Sequence, residues 1–170
     1  KQLGGEGGTG DTCYGNPVDA AVGNKVQREV DFDGPPGVPS MARTYNSQSF
    51  TNSGYMGYNW TFDYSVRITP DGNGVQVRES SGRTVHCPDN LDGTFVCPVD
   101  VRFKLERDGL GYRRTWQDGS IERYNAPGNI IERFSPSGIR TRYDMVSNGL
   151  IMAEFGPGGH KLTPVWGAAI

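Results

Sequence analysis

The most reactive side chains in this sequence are three thiols, Cys13, Cys87 and Cys97, and two imidazoles, His86 and His160. Hydrolysis by nucleophile and base needs a Ser or Cys activated by a His. No Gly-x-Ser-x-Gly elbow accompanies either histidine. His86 and Cys87 are adjacent, so on a strand they point to opposite faces and cannot easily share a zinc ion with Cys97. Asp71 and Asn73 lack the fuller oxygen series that holds calcium. The glycines between positions 4 and 10 lack the Lys-Ser/Thr pair and the following helix of a phosphate cradle. Catalytic residues, metal ligands and cofactors are thus all read as none, and the chain is expected not to be an enzyme.

The thiols have a simpler chemistry open to them. Between Cys87 and Cys97 lies Pro-Asp-Asn-Leu-Asp-Gly-Thr-Phe-Val, with the hairpin-forming pair Asp92-Gly93 at its centre. Such a turn brings the flanking residues face to face, at disulfide distance. A bridge closing so short a loop stabilises by roughly 2–3 kcal/mol. It points to an oxidising compartment, so the protein is expected to be secreted or extracellular. Cys13 is left over and is read as an unpaired or intermolecular thiol.

A second group with potential chemistry is aromatic. Tyr58, Trp60, Phe62 and Tyr64 recur in two-residue steps within a strand expected over residues 58–68. Alternation puts the rings on one face and Asn59, Thr61, Asp63 and Ser65 on the other. Such a stripe either packs against a neighbouring layer or serves as a stacking platform for a glycan. Asn59-Trp60-Thr61 is also a formal glycosylation sequon, read as fortuitous because Asn59 falls on that strand.

The elements that must position these groups follow from composition. Of 170 residues, 25 are Gly and 11 are Pro, and long helices tolerate neither. The expected fold class is all-β: consecutive antiparallel β-hairpins forming a repeat-built sheet or strip. Residues 1–11 read as a flexible glycine-rich tail. Strands are expected over residues 25–32 and 38–45, with Gly34-Pro35-Pro36-Gly37 between them. From residue 70 turns recur at Asp71-Gly72, Ser81-Gly82, Asp92-Gly93 and Asp108-Gly109. They continue at Gly119, Gly128, Gly138, Gly149 and Gly159, which are 9, 10, 11 and 10 residues apart. A fixed period of that kind marks units that bury their faces by stacking on neighbours.

Charge adds one more constraint. Residues 1–100 carry 7 Lys/Arg and 12 Asp/Glu (net −5), whereas 101–170 carry 10 and 7 (net +3). The basic half is read as arginine-decorated strand faces that stay wet. The total of −2 gives no strong field for nucleic acid, and no apolar run approaches the ~20 residues of a membrane helix.

The order of these motifs resembles one known family. Arg142-Tyr143-Asp144, then Asn148-Gly149-Leu150-Ile151, then Phe155 to Gly159, resembles the YD repeat of RHS proteins. Tyr124-Asn125 with Gly128-Asn129-Ile130 looks like a preceding degenerate copy. Cys13-Tyr14-Gly15-Asn16-Pro17-Val18, Glu29 to Phe32, Arg43 to Ser47 and Gly57 to Thr61 resemble, in order, the domain that precedes such repeats. The resemblance covers about residues 12–165 and implies three parts: the tail 1–11, an N-terminal β domain 12–110 and YD-like hairpin repeats 111–170. It implies a β-strip that spirals into a shell around a toxin cargo. The chain holds only about two repeats, with neither a toxin region nor a self-cleaving aspartate motif. It is therefore expected to be a structural module that works with the remainder of a longer RHS chain or with other copies of itself. Strand addition into an oligomer or filament is one such route. The alternative expectation is a glycan or cell-surface binding module of a secreted toxin-delivery protein.

Overall fold

The computed structural model describes residues 18–19, 23–35, 40–49, 56–145, 151–155 and 157–163. Cys13, the tail 1–11 and the turn at Asn148-Gly149 lie outside them. The fold is all-β and antiparallel throughout, and it falls into three sheets whose strands follow chain order. The first holds β1 (Val18–Asp19), β2 (Asn24–Phe32), β3 (Met41–Asn46) and β4 (Trp60–Phe62). The second holds β5 (Arg67–Asp71), β6 (Gly74–Arg78) and β7 (Thr84–Pro88).

The third is an eight-stranded meander. It comprises β8 (Thr94–Phe95), β9 (Phe103–Asp108), β10 (Gly111–Trp116), β11 (Ile121–Tyr124), β12 (Ile130–Phe134), β13 (Arg140–Met145), β14 (Ile151–Phe155) and β15 (Lys161–Leu162). The meander starts before the repeat boundary expected at 110/111, which falls inside the β9–β10 hairpin.

The turns share one device. In Trp116–Ser120, Asn125–Asn129 and Ser135–Ile139, the first amide donates to the fifth carbonyl, and the amide of the fourth residue donates back to the first carbonyl. That fourth residue is Gly119, Gly128 or Gly138, with φ of +88°, +81° and +80°. This is a type I turn closed by a left-handed residue, the three-residue hairpin connection. Side chains complete all three turns: Asp118 Oδ1 accepts from the Ser120 amide, Asn125 Oδ1 from that of Asn129, and Ser135 Oγ from that of Ile139. The turn Glu79–Arg83 uses the same bonds, with Gly82 in the fourth place.

Three contacts lock the sheets together. The turn after β6 enters the first sheet, where Thr61 Oγ1 donates to Ser80 O and Asn46 Nδ2 donates to Ser81 O. The Ile68 amide of β5 donates to Gly128 O at 2.9 Å. A Cβ at Gly128 would lie 1.6 Å from Ile68 O, so the junction needs glycine for space as well as for φ. Finally, Cys87 of β7 is bonded to Cys97, with the Cα atoms 4.4 Å apart. The disulfide expected from the spacing therefore ties the second sheet to the start of the meander. One apolar core spans these elements, running from Phe62, Ile68 and Val77 to Leu105, Tyr112, Ile130 and Tyr143.

The aromatic strand expected over residues 58–68 is not one strand. β4 ends at Phe62, where Ser65 N donates to Phe62 O and the Phe62 amide donates back to Ser65 Oγ. This serine-closed turn outcompetes the alternation, and the chain re-enters as β5 in a different sheet. Val38 and Pro39 lie outside the described residues, and β3 begins at Met41.

Candidate functional site

Breaking that strand separates its rings. Phe62 and Tyr64 are buried, Trp60 is half-buried, and Tyr58 is exposed. The Tyr64 hydroxyl donates to Ser40 O, and its ring lies 5.1 Å from that of Tyr143. Trp60 is tilted against Tyr45 at 5.5 Å, with the Arg43 guanidinium 4.9 Å from its ring. The four rings thus form no continuous platform, because two of them are core. Asn59 is no strand residue: it takes φ +64°, is buried, and its side-chain amide donates to Ser47 O. Its sequon is closed to a glycan in the folded chain.

The histidines are both exposed; His86 lies 3.2 Å from Asp71. Cys87 faces the core and is consumed by its disulfide, so it is no free thiol. Among the described residues, no group of three or more His, Cys, Asp and Glu could hold a metal. A shallow groove of about 360 Å³ runs beside β8 and β9, lined by Phe95, Val96, Cys97, Val99 and Phe103.

The densest chemistry lies elsewhere, inside the meander. Strand register places Arg114 of β10 opposite Glu122 of β11, and Glu122 opposite Arg133 of β12. Arg114 Nε and Nη2 donate to Glu122 Oε2 at 2.6 and 2.5 Å. Arg133 Nε and Nη2 donate to Glu122 Oε1 at 3.0 and 2.7 Å. The Tyr124 hydroxyl adds a third donor to Oε2 at 2.7 Å. Both Arg114 and Glu122 side chains are only 3% exposed. Aromatic faces flank Arg114: its guanidinium lies 4.5 Å from the Trp116 ring and 4.9 Å from that of Phe103. Cations over such faces gain from the ring quadrupole.

Electrostatics explain how a charged cluster survives in the core. Burial alone would raise the Glu122 carboxyl, but Arg114, Arg133 and the Tyr124 hydroxyl together bring its pKa down to about 2. Burial, and then the Glu122 carboxylate, push the Tyr124 phenol well above its usual value, despite Arg114. General acids and bases work best with a pKa near the operating pH. Glu122 and Tyr124 are driven away from it in opposite directions. Glu122 is thus held as the carboxylate and Tyr124 as the neutral phenol.

Asp63, whose carboxyl is lifted by burial against the pull of Arg28 and Arg133, extends the network to the first sheet. The wet Arg/Glu faces expected from the sequence are therefore corrected at Arg114 and Glu122. Parity held the signal: Tyr112, Arg114 and Trp116 share a face, as do Glu122 and Tyr124, and the tyrosines point inward.

The fold and this cluster define an antiparallel repeat sheet with a register-fixing ionic core. Residues 15–86 match a family model described as a domain of unknown function, DUF6531. That span runs from before β1 into β7, ending before the meander. No curated protein matches the chain.

Proposed function

We propose that this chain is a structural β-strip module, the opening segment of an RHS-type shell, exported from a bacterial cell and serving as scaffold rather than catalyst. The observation that carries the reading is the meander itself. Its turns at Trp116, Asn125 and Ser135 repeat the same hydrogen bonds with glycine in the same place. In each tyrosine-bearing strand the ring goes inward, at Tyr112, Tyr124 and Tyr143, so each hairpin adds one layer to a common core. In the YD-like pair, Tyr143 is buried while Asp144 is exposed and pairs with Arg142. Ordered motifs over residues 12–165 support the family reading, and the 15–86 match to a domain of unknown function lies within residues 12–110, read here as the N-terminal β domain.

The outermost strands of the meander, β8 and β15, are two residues each. Residues 88–90 already cover β8, where Val96 N donates to Pro88 O and Asn90 N donates to Thr94 O, so addition of a further repeat or of a second copy is proposed at the β15 end. A glycan-binding reading would rest on Tyr58 and Trp60 alone. The mass of the native protein in its source cells tests the proposal. A chain well above 18.6 kDa, or assemblies of the 18.6 kDa chain, is expected. A lone 18.6 kDa monomer at all concentrations would sink it.

A further inference from the structure

The second sheet sets two like charges across from each other. Arg67 of β5 and Arg78 of β6 are directly opposite in register. The adjacent pair, Ile68 and Val77, is fully buried, so parity places both arginines on the outer face with Thr69, Gln76 and His86. Like charges directly opposite on a sheet destabilise it.

The meander contains the same pairing, Arg113 opposite Arg123, but answers it with carboxylates. Glu106 meets Arg113 at 2.7 Å, and Asp108 and Glu132 meet Arg123 at 2.8 and 3.6 Å. Around Arg67 and Arg78, no carboxylate of the described residues comes within ion-pair distance. Asp71, the acid of this face, sits beside His86 instead.

The protein also leaves these heads short of acceptors. Nε of each arginine is shut off from water and meets no acceptor. Arg78 makes one long bond, Nη2 to Ser65 O at 3.4 Å. Burial, and then the neighbouring Arg67 cation, push the Arg78 guanidinium below its ordinary pKa. Two half-buried cations are thus held together without a counter-charge among the described residues. Thr84, opposite Arg78 on β7, supplies a hydroxyl-bearing neighbour on the same face.

From this we infer that the outer face of the second sheet, at Arg67 and Arg78, binds a tetrahedral oxyanion: phosphate or sulfate, free or carried as an ester on a larger molecule. Guanidinium forks match such oxygens, and a dianion cancels both charges at once. The site is independent of the scaffold reading and would stand if that reading failed.

Titration of inorganic phosphate into the ¹⁵N-labelled protein at constant ionic strength tests it. The Nε–Hε resonances of Arg67 and Arg78 should shift saturably, while that of Arg113 stays put. Arg67→Gln and Arg78→Gln should each weaken the response at least about tenfold, the cost of losing one charged bond of roughly 1.5–3 kcal/mol. A sulfated oligosaccharide in a parallel titration separates the sources: tighter binding than phosphate points to an ester-bearing partner, equal binding to the free ion. Melting in phosphate-free buffer gives the second readout, because Arg78→Gln removes repulsion and should melt no lower than the parent. Shifts that never saturate for either ligand, or that appear equally at Arg113, would overturn the site. So would an Arg78→Gln protein that melts lower while keeping the full phosphate response.

Discussion

Arg113 and Arg114 are neighbours in the chain and sit in opposite worlds. Arg113 is on the wet face of the meander, about half exposed, paired with Glu106. Arg114 is sealed in the core against Glu122. Screening and side-chain entropy leave an exposed pair worth little. A buried pair carries a heavy desolvation cost, so removing one partner strands an uncompensated charge. The lesson is that charge type says little about role in this sheet, and parity with the inward tyrosines says nearly everything. A one-residue slip between β10 and β11 would put Arg114 on the wet face and Arg113 in the core, which is why the buried cluster fixes register.

The largest expected break in the comparison is Glu122→Gln. It leaves Arg114 and Arg133 facing a neutral amide, and should cost about 4 kcal/mol in urea unfolding. An effect below about 1 kcal/mol would place the cluster with the surface pairs.

Acid titration should show the same asymmetry. Glu122 has a folded pKa near 2 against an ordinary 4.5. Since the folded value is depressed, the stabilisation is complete above about pH 4.5 and drains as pH falls toward 2. The loss is on the order of 3 kcal/mol. Stability measured against pH should fall over that window in the parent, and markedly less in Glu122→Gln.

Two glycines of matched conformation offer a finer comparison. Gly128 and Gly138 have φ of +81° and +80°, but Ile68 O crowds only the first. Alanine at 138 should cost the 1–2 kcal/mol of a left-handed residue. Alanine at 128 should cost clearly more, read as a lower melting temperature. Smallest of all is Arg113→Gln, expected to change stability by under about 1 kcal/mol.

Much of the fold was legible in the sequence, for identifiable reasons. Glycine at positive φ has few substitutes, so the turns at 72, 82, 93, 109, 119, 128 and 138 fell where glycine and its Asp, Ser or Pro neighbours placed them. The Cys87–Cys97 bridge followed from Asp92-Gly93 between the thiols. What was not legible depended on tertiary competition. The alternation of Tyr58 to Tyr64 was real, but a local Ser65 turn ended β4 and sent the chain to another sheet. The charge of Arg114 and Glu122 masks their burial, which only the parity they share with Tyr112 and Tyr124 signals. The Arg67–Arg78 pairing needed the β5–β6 register, which only the folded chain supplies.

The most direct test is a pair of double-mutant cycles by urea unfolding, Arg114–Glu122 inside and Arg113–Glu106 outside. A cycle isolates the pairwise interaction from the cost of each substitution alone. The account predicts an inner coupling of at least about 2 kcal/mol and an outer one below about 1 kcal/mol. Equal couplings would contradict it.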